Sequence, residues 1–161
     1  MTADRSPDTL EIVREIRATP ERVFRALTDP QDLPRWWTGI GGISRAQFDL
    51  RPGGSYRLEF RAGEAATVFV HGTVREVDPP RRLVMTWFSP KYPTLETVLS
   101  FELERIPGGT RLTLRHSGLT EPGSLPAHEA GWLEALSLLI AWIVAAGPMI
   151  AASGTSGTQD K

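Results

Sequence analysis

A chain of 161 residues with 40% apolar residues and 15 glycines has the length and apolar content of one globular domain, which excludes a disordered segment or a coiled coil. Eighteen Lys plus Arg against nineteen Asp plus Glu leave a net charge of -1, so no global field draws nucleic acid or an anionic membrane surface. The absence of cysteine removes disulfides, thiol nucleophiles and Cys-ligated metal sites, and is compatible with a cytoplasmic location.

Residues 1–7 are polar, with Asp4 beside Arg5, and read as a tail without the apolar run of a secretory signal. Leu10, Ile12 and Ile16 alternate with Glu11, Val13, Glu15 and Arg17, which predicts a first strand over Thr9 to Arg17. Thr19-Pro20 has the N-cap and first-turn residues of a helix whose apolar face is Val23, Phe24 and Leu27, and Asp29-Pro30 stops it. A second short helix is expected from Gln31 to Trp37, followed by a loop marked by Gly39, Gly41 and Gly42.

From Gln47 the pattern turns to alternation and tight turns, and five strands are expected. They centre on Tyr56, Leu58 and Phe60, on Thr67 to Val77, on Leu83 to Phe88, on Leu99, Phe101 and Leu103, and on Leu112, Leu114 and His116. Pro52-Gly53-Gly54 and Pro107-Gly108-Gly109 supply turns. The strand over Thr67 to Val77 carries apolar residues on both parities, so a bulge near Gly72 would decide which way His71 faces. Arg57 and Glu59 share the charged parity of their strand and read as solvated surface.

A last helix begins near Ser124 and ends before Gly147, with Trp132, Leu136, Leu139, Ile140 and Ile143 on one face. Gly131 interrupts its propensity, which suggests either close approach to the sheet or a tolerated irregularity. Ala135 to Ala152 is long enough without a charge to be weighed as a membrane span. Gly147-Pro148 breaks it, so the expectation is a soluble core helix without stable membrane insertion. Residues 148–161 read as a mobile Gly/Ser/Thr-rich tail, leaving one domain over residues 8–147.

The segments EIVREIRATPERVFRALTDPQDLPRWW, FDLRPGGSYRLEF, GTVREVDPPRRLVMTW, FELERIPGGTRLTLRHSGL and HEAGWLEAL, in this order, resemble the activators of the heat-shock-protein ATPase, a family of the START/SRPBCC superfamily. The resemblance covers roughly residues 8 to 146. It implies an α+β helix-grip fold: a curved antiparallel sheet wrapped around a long C-terminal helix, with two short helices after the first strand. It also implies an apolar cavity between sheet and helix, which in the superfamily holds hydrophobic molecules. The motifs are caps, turns and core positions, so they speak for fold more than for chemistry.

On that reading the candidate ligand-binding residues are Trp36, Trp37, Tyr56, Phe60, Trp87, Phe101, His116, Trp132, Leu136 and Leu139. Aromatic walls with a few polar groups suit a small-molecule pocket, while the same rings could simply close the core. His116 faces inward by alternation, either as a hydrogen-bonded core residue or as an acid or base. His128-Glu129-Ala130-Gly131-Trp132 starts like a zinc-protease motif but has Trp where the second histidine must stand, so no metal site is expected, and no cofactor is implied. Arg81-Arg82 reads as an exposed turn rather than a nucleic-acid patch. Leu138 and Trp142 lie off the apolar face of the last helix and suggest a homodimer flank.

The leading expectation is non-catalytic binding of a small hydrophobic molecule, lipid or aromatic. The alternatives are a polyketide cyclase- or aromatase-like enzyme using the same cavity, and a protein-interaction or co-chaperone-like module.

Overall fold

The computed structural model describes residues 7–39, 41–63 and 67–146. The two tails and the Gly147-Pro148 break therefore lie outside the described residues, apart from Pro7. The elements are β1 (Leu10–Ile16), α1 (Pro20–Thr28), α2 (Leu33–Trp36), β2 (Ile43–Phe48), β3 (Ser55–Arg61), β4 (Thr67–Asp78), β5 (Arg82–Ser89), β6 (Tyr92–Ile106), β7 (Gly109–Ser117) and α3 (Ser124–Ala146). The strands form one antiparallel sheet in the order β1-β7-β6-β5-β4-β3-β2. The chain starts at one edge, crosses to the other through α1 and α2, and meanders back until β7 pairs with β1. With α3 packed on the inner face, this is the expected helix-grip fold.

Local chemistry sets the ends of α1. Thr19 Oγ1 accepts from the Arg22 amide at 3.1 Å, and Pro20 occupies the first turn, where its missing N–H costs nothing. Asp29 ends the helix, its amide donating to the Arg25 carbonyl, and its Oδ1 then accepts from the Gln31 amide at 2.8 Å. That turn delays α2, which begins at Leu33 rather than Gln31. The Trp36 indole donates to the Ala26 carbonyl at 2.8 Å and ties the two helices together.

The sheet has seven strands because β2, expected as loop, pairs with β3 along Arg45↔Glu59 to Phe48↔Tyr56. A register shift between Ile43 and Arg45 breaks its alternation. In β4 the irregularity lies between Val74 and Glu76, beyond Gly72. It moves the inward parity from Val70 and Val74 to Val77 and leaves His71 exposed, stacked on Phe88 at 5.1 Å. Gly72 is required for packing: a Cβ there would stand 2.1 Å from the Thr86 carbonyl oxygen. Tyr56, opposite Gly72, donates from its phenol to that same oxygen at 2.6 Å. In the β6–β7 hairpin, Pro107-Gly108 makes the turn with Gly108 at φ 85°, the left-handed conformation a type II turn requires.

Cross-strand ion pairs cover much of the outer face. Arg111 pairs with Glu15 at 3.2 Å and Glu104 at 3.0 Å, Arg115 with Glu11, and Arg82 with Glu76 and Glu102. Arg81 pairs with Asp78 at 2.9 Å, so the Arg81-Arg82 charge is balanced locally. Arg57 is exposed over the Phe69 ring, and Glu59 is half-buried.

By length and composition α3 is, among the described residues, the one helix apolar enough to cross a membrane. Its Trp132, Ala135, Leu136, Leu139 and Ile143 are buried with Leu99, Phe101, Leu112 and Leu114 of the sheet, which makes it the core helix.

Candidate functional site

The cavity between sheet and helix is confined to one end of the grip and measures about 380 Å³, within the usual range for small-molecule sites. Its sheet wall is made where β3, β4 and β5 approach α3: Phe60 and Arg61, Val68 and Val70, Trp87 and Ser89. Trp37 and Thr38, which follow α2, close one side. The helix supplies two adjacent stripes. Ala127, Gly131, Glu134 and Leu138 form one, and His128 with Trp132, one turn apart, form the other.

The rings of this wall touch one another. Trp37 stands edge-on to Phe60 at 5.1 Å and tilts against Trp132 at 5.4 Å, and Trp132 tilts against Trp87 at 5.2 Å. These spacings are those of favourable aromatic pairs and hold the wall rigid. Arg61 and Glu134, both exposed, place opposite charges among the lining residues.

Of the ten candidates, Trp37, Phe60, Trp87 and Trp132 line the cavity. The other six form no part of its lining. Trp36 is buried under Trp37, stacked at 5.3 Å. Tyr56 is buried against Phe48, with its phenol engaged by Thr86 and pushed above its ordinary pKa by burial. Phe101, Leu136 and Leu139 are solid core.

His116 is fully buried and engaged at both nitrogens. The Trp132 indole donates to Nδ1 at 3.0 Å, so Nδ1 carries the lone pair and Nε2 the proton. Nε2 then donates to Thr97 Oγ1 at 2.8 Å, and that hydroxyl donates to the Trp87 carbonyl at 2.7 Å. Burial, reinforced by the neighbouring His128, lowers the His116 pKa to about 3. The ring is a neutral link in a satisfied network behind the wall.

The histidine at the cavity is His128, which motif spacing had passed over as a failed metal ligand. Its Nδ1 lies 2.8 Å from the Ser124 carbonyl, one turn back on α3. Its ring meets His116 edge-on at 4.9 Å, and burial lowers its pKa against the opposing effect of that hydrogen bond. Its position one turn before Trp132 was the available signal.

One further expectation is corrected. A Cβ on Gly131 would meet nothing within 4 Å, so this glycine opens the cavity rather than bringing helix and sheet together. Leu138 is half-buried in the cavity lining. Trp142 packs against the core beneath the Arg22 guanidinium, 4.6 Å from the ring centroid. The pair expected to form a homodimer flank is thus half-buried, each side chain keeping part of its surface exposed. The exposed large apolar residues of α3 are Leu133 and Val144.

The fold has known relatives. A protein of Rhodobacter sphaeroides superposes with a TM-score of 0.74 at 28% identity, covering 87% of this chain and 95% of its own. CalU16 of Micromonospora echinospora gives 0.67 at 28% identity, over 89% and 78%. A Plasmodium falciparum protein described as an HSP90 activator gives 0.64 at 25% identity, over 78% and 88%. No curated protein sequence matches significantly. The family model for activator of Hsp90 ATPase homolog 1-like proteins matches residues 17–142. Over that span, which runs from the end of β1 into the last turns of α3, the chain belongs to the activator of Hsp90 ATPase homolog 1-like family.

Proposed function

We propose that this protein binds a small, mainly apolar molecule in the cavity between sheet and α3, without transforming it. The observation that carries the proposal is an aromatic wall of Trp37, Phe60, Trp87 and Trp132 around about 380 Å³, kept open on the helix side by Gly131. Apolar burial at about 25 cal/mol per Å² drives association, less the ordering costs. A non-catalytic role is supported by His116, whose nitrogens are both engaged inside the chain. The proposal includes a soluble cytoplasmic protein with one domain over residues 8–147.

The second reading, a cyclase- or aromatase-like enzyme, draws on His128, an imidazole in the cavity lining. An interaction role draws on the structural likeness to the HSP90 activator of Plasmodium falciparum. A homodimer through Leu138 and Trp142 would use the exposed parts of two half-buried side chains that also contact the cavity and Arg22.

Native purification, solvent extraction and mass spectrometry test the proposal, together with tryptophan quenching by added apolar compounds. A stoichiometric extracted molecule, or saturable quenching lost when the cavity is filled by substitution, is expected. No extracted molecule and no quenching across lipids and aromatics would move the assignment to the interaction role.

A further inference from the structure

The histidine of the cavity lining has one committed nitrogen and one uncommitted nitrogen. A carbonyl oxygen can only accept, so the 2.8 Å contact with Ser124 requires the proton on His128 Nδ1. In the neutral ring this leaves Nε2 with a lone pair, and among the described residues no donor meets it. His116 also stays neutral, because its Nδ1 must accept from the Trp132 indole. Two neutral imidazoles 4.9 Å apart, His128 in the wall and His116 behind it, favour neither as a cation.

We propose that His128 Nε2 is the hydrogen-bond acceptor of the cavity, and that its ligand is an aromatic molecule carrying a hydroxyl group that donates to it. The inference rests on the ligand-binding reading and adds to it the polarity of the ligand. The aromatic part fits against Trp37, Phe60, Trp87 and Trp132, whose faces and edges already interlock with rings. The hydroxyl end is directed to His128, one helical turn from Trp132. An acceptor-only molecule leaves the Nε2 lone pair and its own oxygen facing each other without a proton.

Titration calorimetry on the full chain with three probes tests this: naphthalene, 2-naphthol and 2-methoxynaphthalene. 2-Naphthol is the most water-loving of the three, so apolar burial alone ranks it last. The hydrogen bond ranks it first, by roughly 3- to 10-fold. In His128→Phe that preference disappears, while 2-methoxynaphthalene binding stays within roughly twofold. A ¹⁵N shift of His128 Nε2 in the unmodified protein on adding 2-naphthol, absent with 2-methoxynaphthalene, gives a readout that a purely structural histidine would not. If the two acceptor-free or methylated probes bind and 2-naphthol ranks last, the inference is overturned while the ligand-binding reading stands. If none of the three binds and no other apolar compound quenches tryptophan fluorescence, both are overturned.

Discussion

The Trp132 indole N–H donates to His116 Nδ1 at 3.0 Å, and through that single bond a residue of the cavity wall sets the tautomer of a histidine behind it. Replacing Trp132 by Phe keeps a ring in the wall but leaves a buried nitrogen without its donor. The expected loss of stability is about 1–3 kcal/mol, read by urea denaturation. Thr97→Val should cost a similar amount, since it strips partners from both His116 Nε2 and the Trp87 carbonyl, whereas Thr97→Ser should retain most of the stability. Equal stability of the Val and Ser variants would remove the network from the account.

The same histidine gives the protein a pH dependence of definite sign. With its pKa lowered to about 3 when folded, His116 stays neutral while its unfolded counterpart gains a proton below about 6.5. The unfolded chain then binds more protons, so stability falls as pH drops from about 6.5 toward 3, by up to about 1.4 kcal/mol per pH unit for this one group. His128, also lowered, adds to the slope in the upper part of that window. Denaturation midpoints between pH 7 and pH 5 should decline, and His116→Gln should flatten the decline. A stability flat across that range would contradict the buried neutral ring.

Gly131 separates binding from folding. A leucine there would extend into open space and recover up to about 1 kcal/mol of helix propensity. Gly131→Leu is expected to melt at the same temperature or higher while losing more than roughly tenfold in affinity for any cavity ligand. Unchanged affinity would place the ligand elsewhere.

Gly72 tolerates no such change. A methyl group would press on the Thr86 carbonyl and on the path by which the Tyr56 phenol reaches it. Gly72→Ala should lower stability by about 2–3 kcal/mol in chemical denaturation, and a loss below about 1 kcal/mol would show that β4 can yield.

Periodicity made most of the architecture readable, because caps and turns act locally and alternation reports which side of a strand faces the core. β2 escaped for a physical reason: the irregularity at Ser44 puts Ile43 and Ala46 on one face at odd spacing, and alternation fails. For the site, pattern could say that His116, Tyr56, Phe101 and Leu139 point inward, and they do. It could not say whether the inward space is filled. That depends on how far along the grip each residue sits, a property of strand curvature and of where α3 approaches, neither of which is written in any one segment. The inner contacts of Leu138 and Trp142 were hidden for a related reason. A helical projection knows one helix, whereas Leu138 meets the cavity and Trp142 meets Arg22 of α1.

The pairing of β1 with β7 also sets the order of events during synthesis. Leu10 pairs with His116, and the Glu11–Arg115 ion pair joins residues 104 positions apart. At about 5–20 residues per second, β1 leaves the ribosome several seconds before its partner exists. Its exposed edge must wait through the whole meander, and the core helix arrives later still. Such long-range closure makes folding slow for a domain of this size. The newly made chain thus passes through a window in which an unpaired first strand is open to other chains, and the completion of β7 closes it.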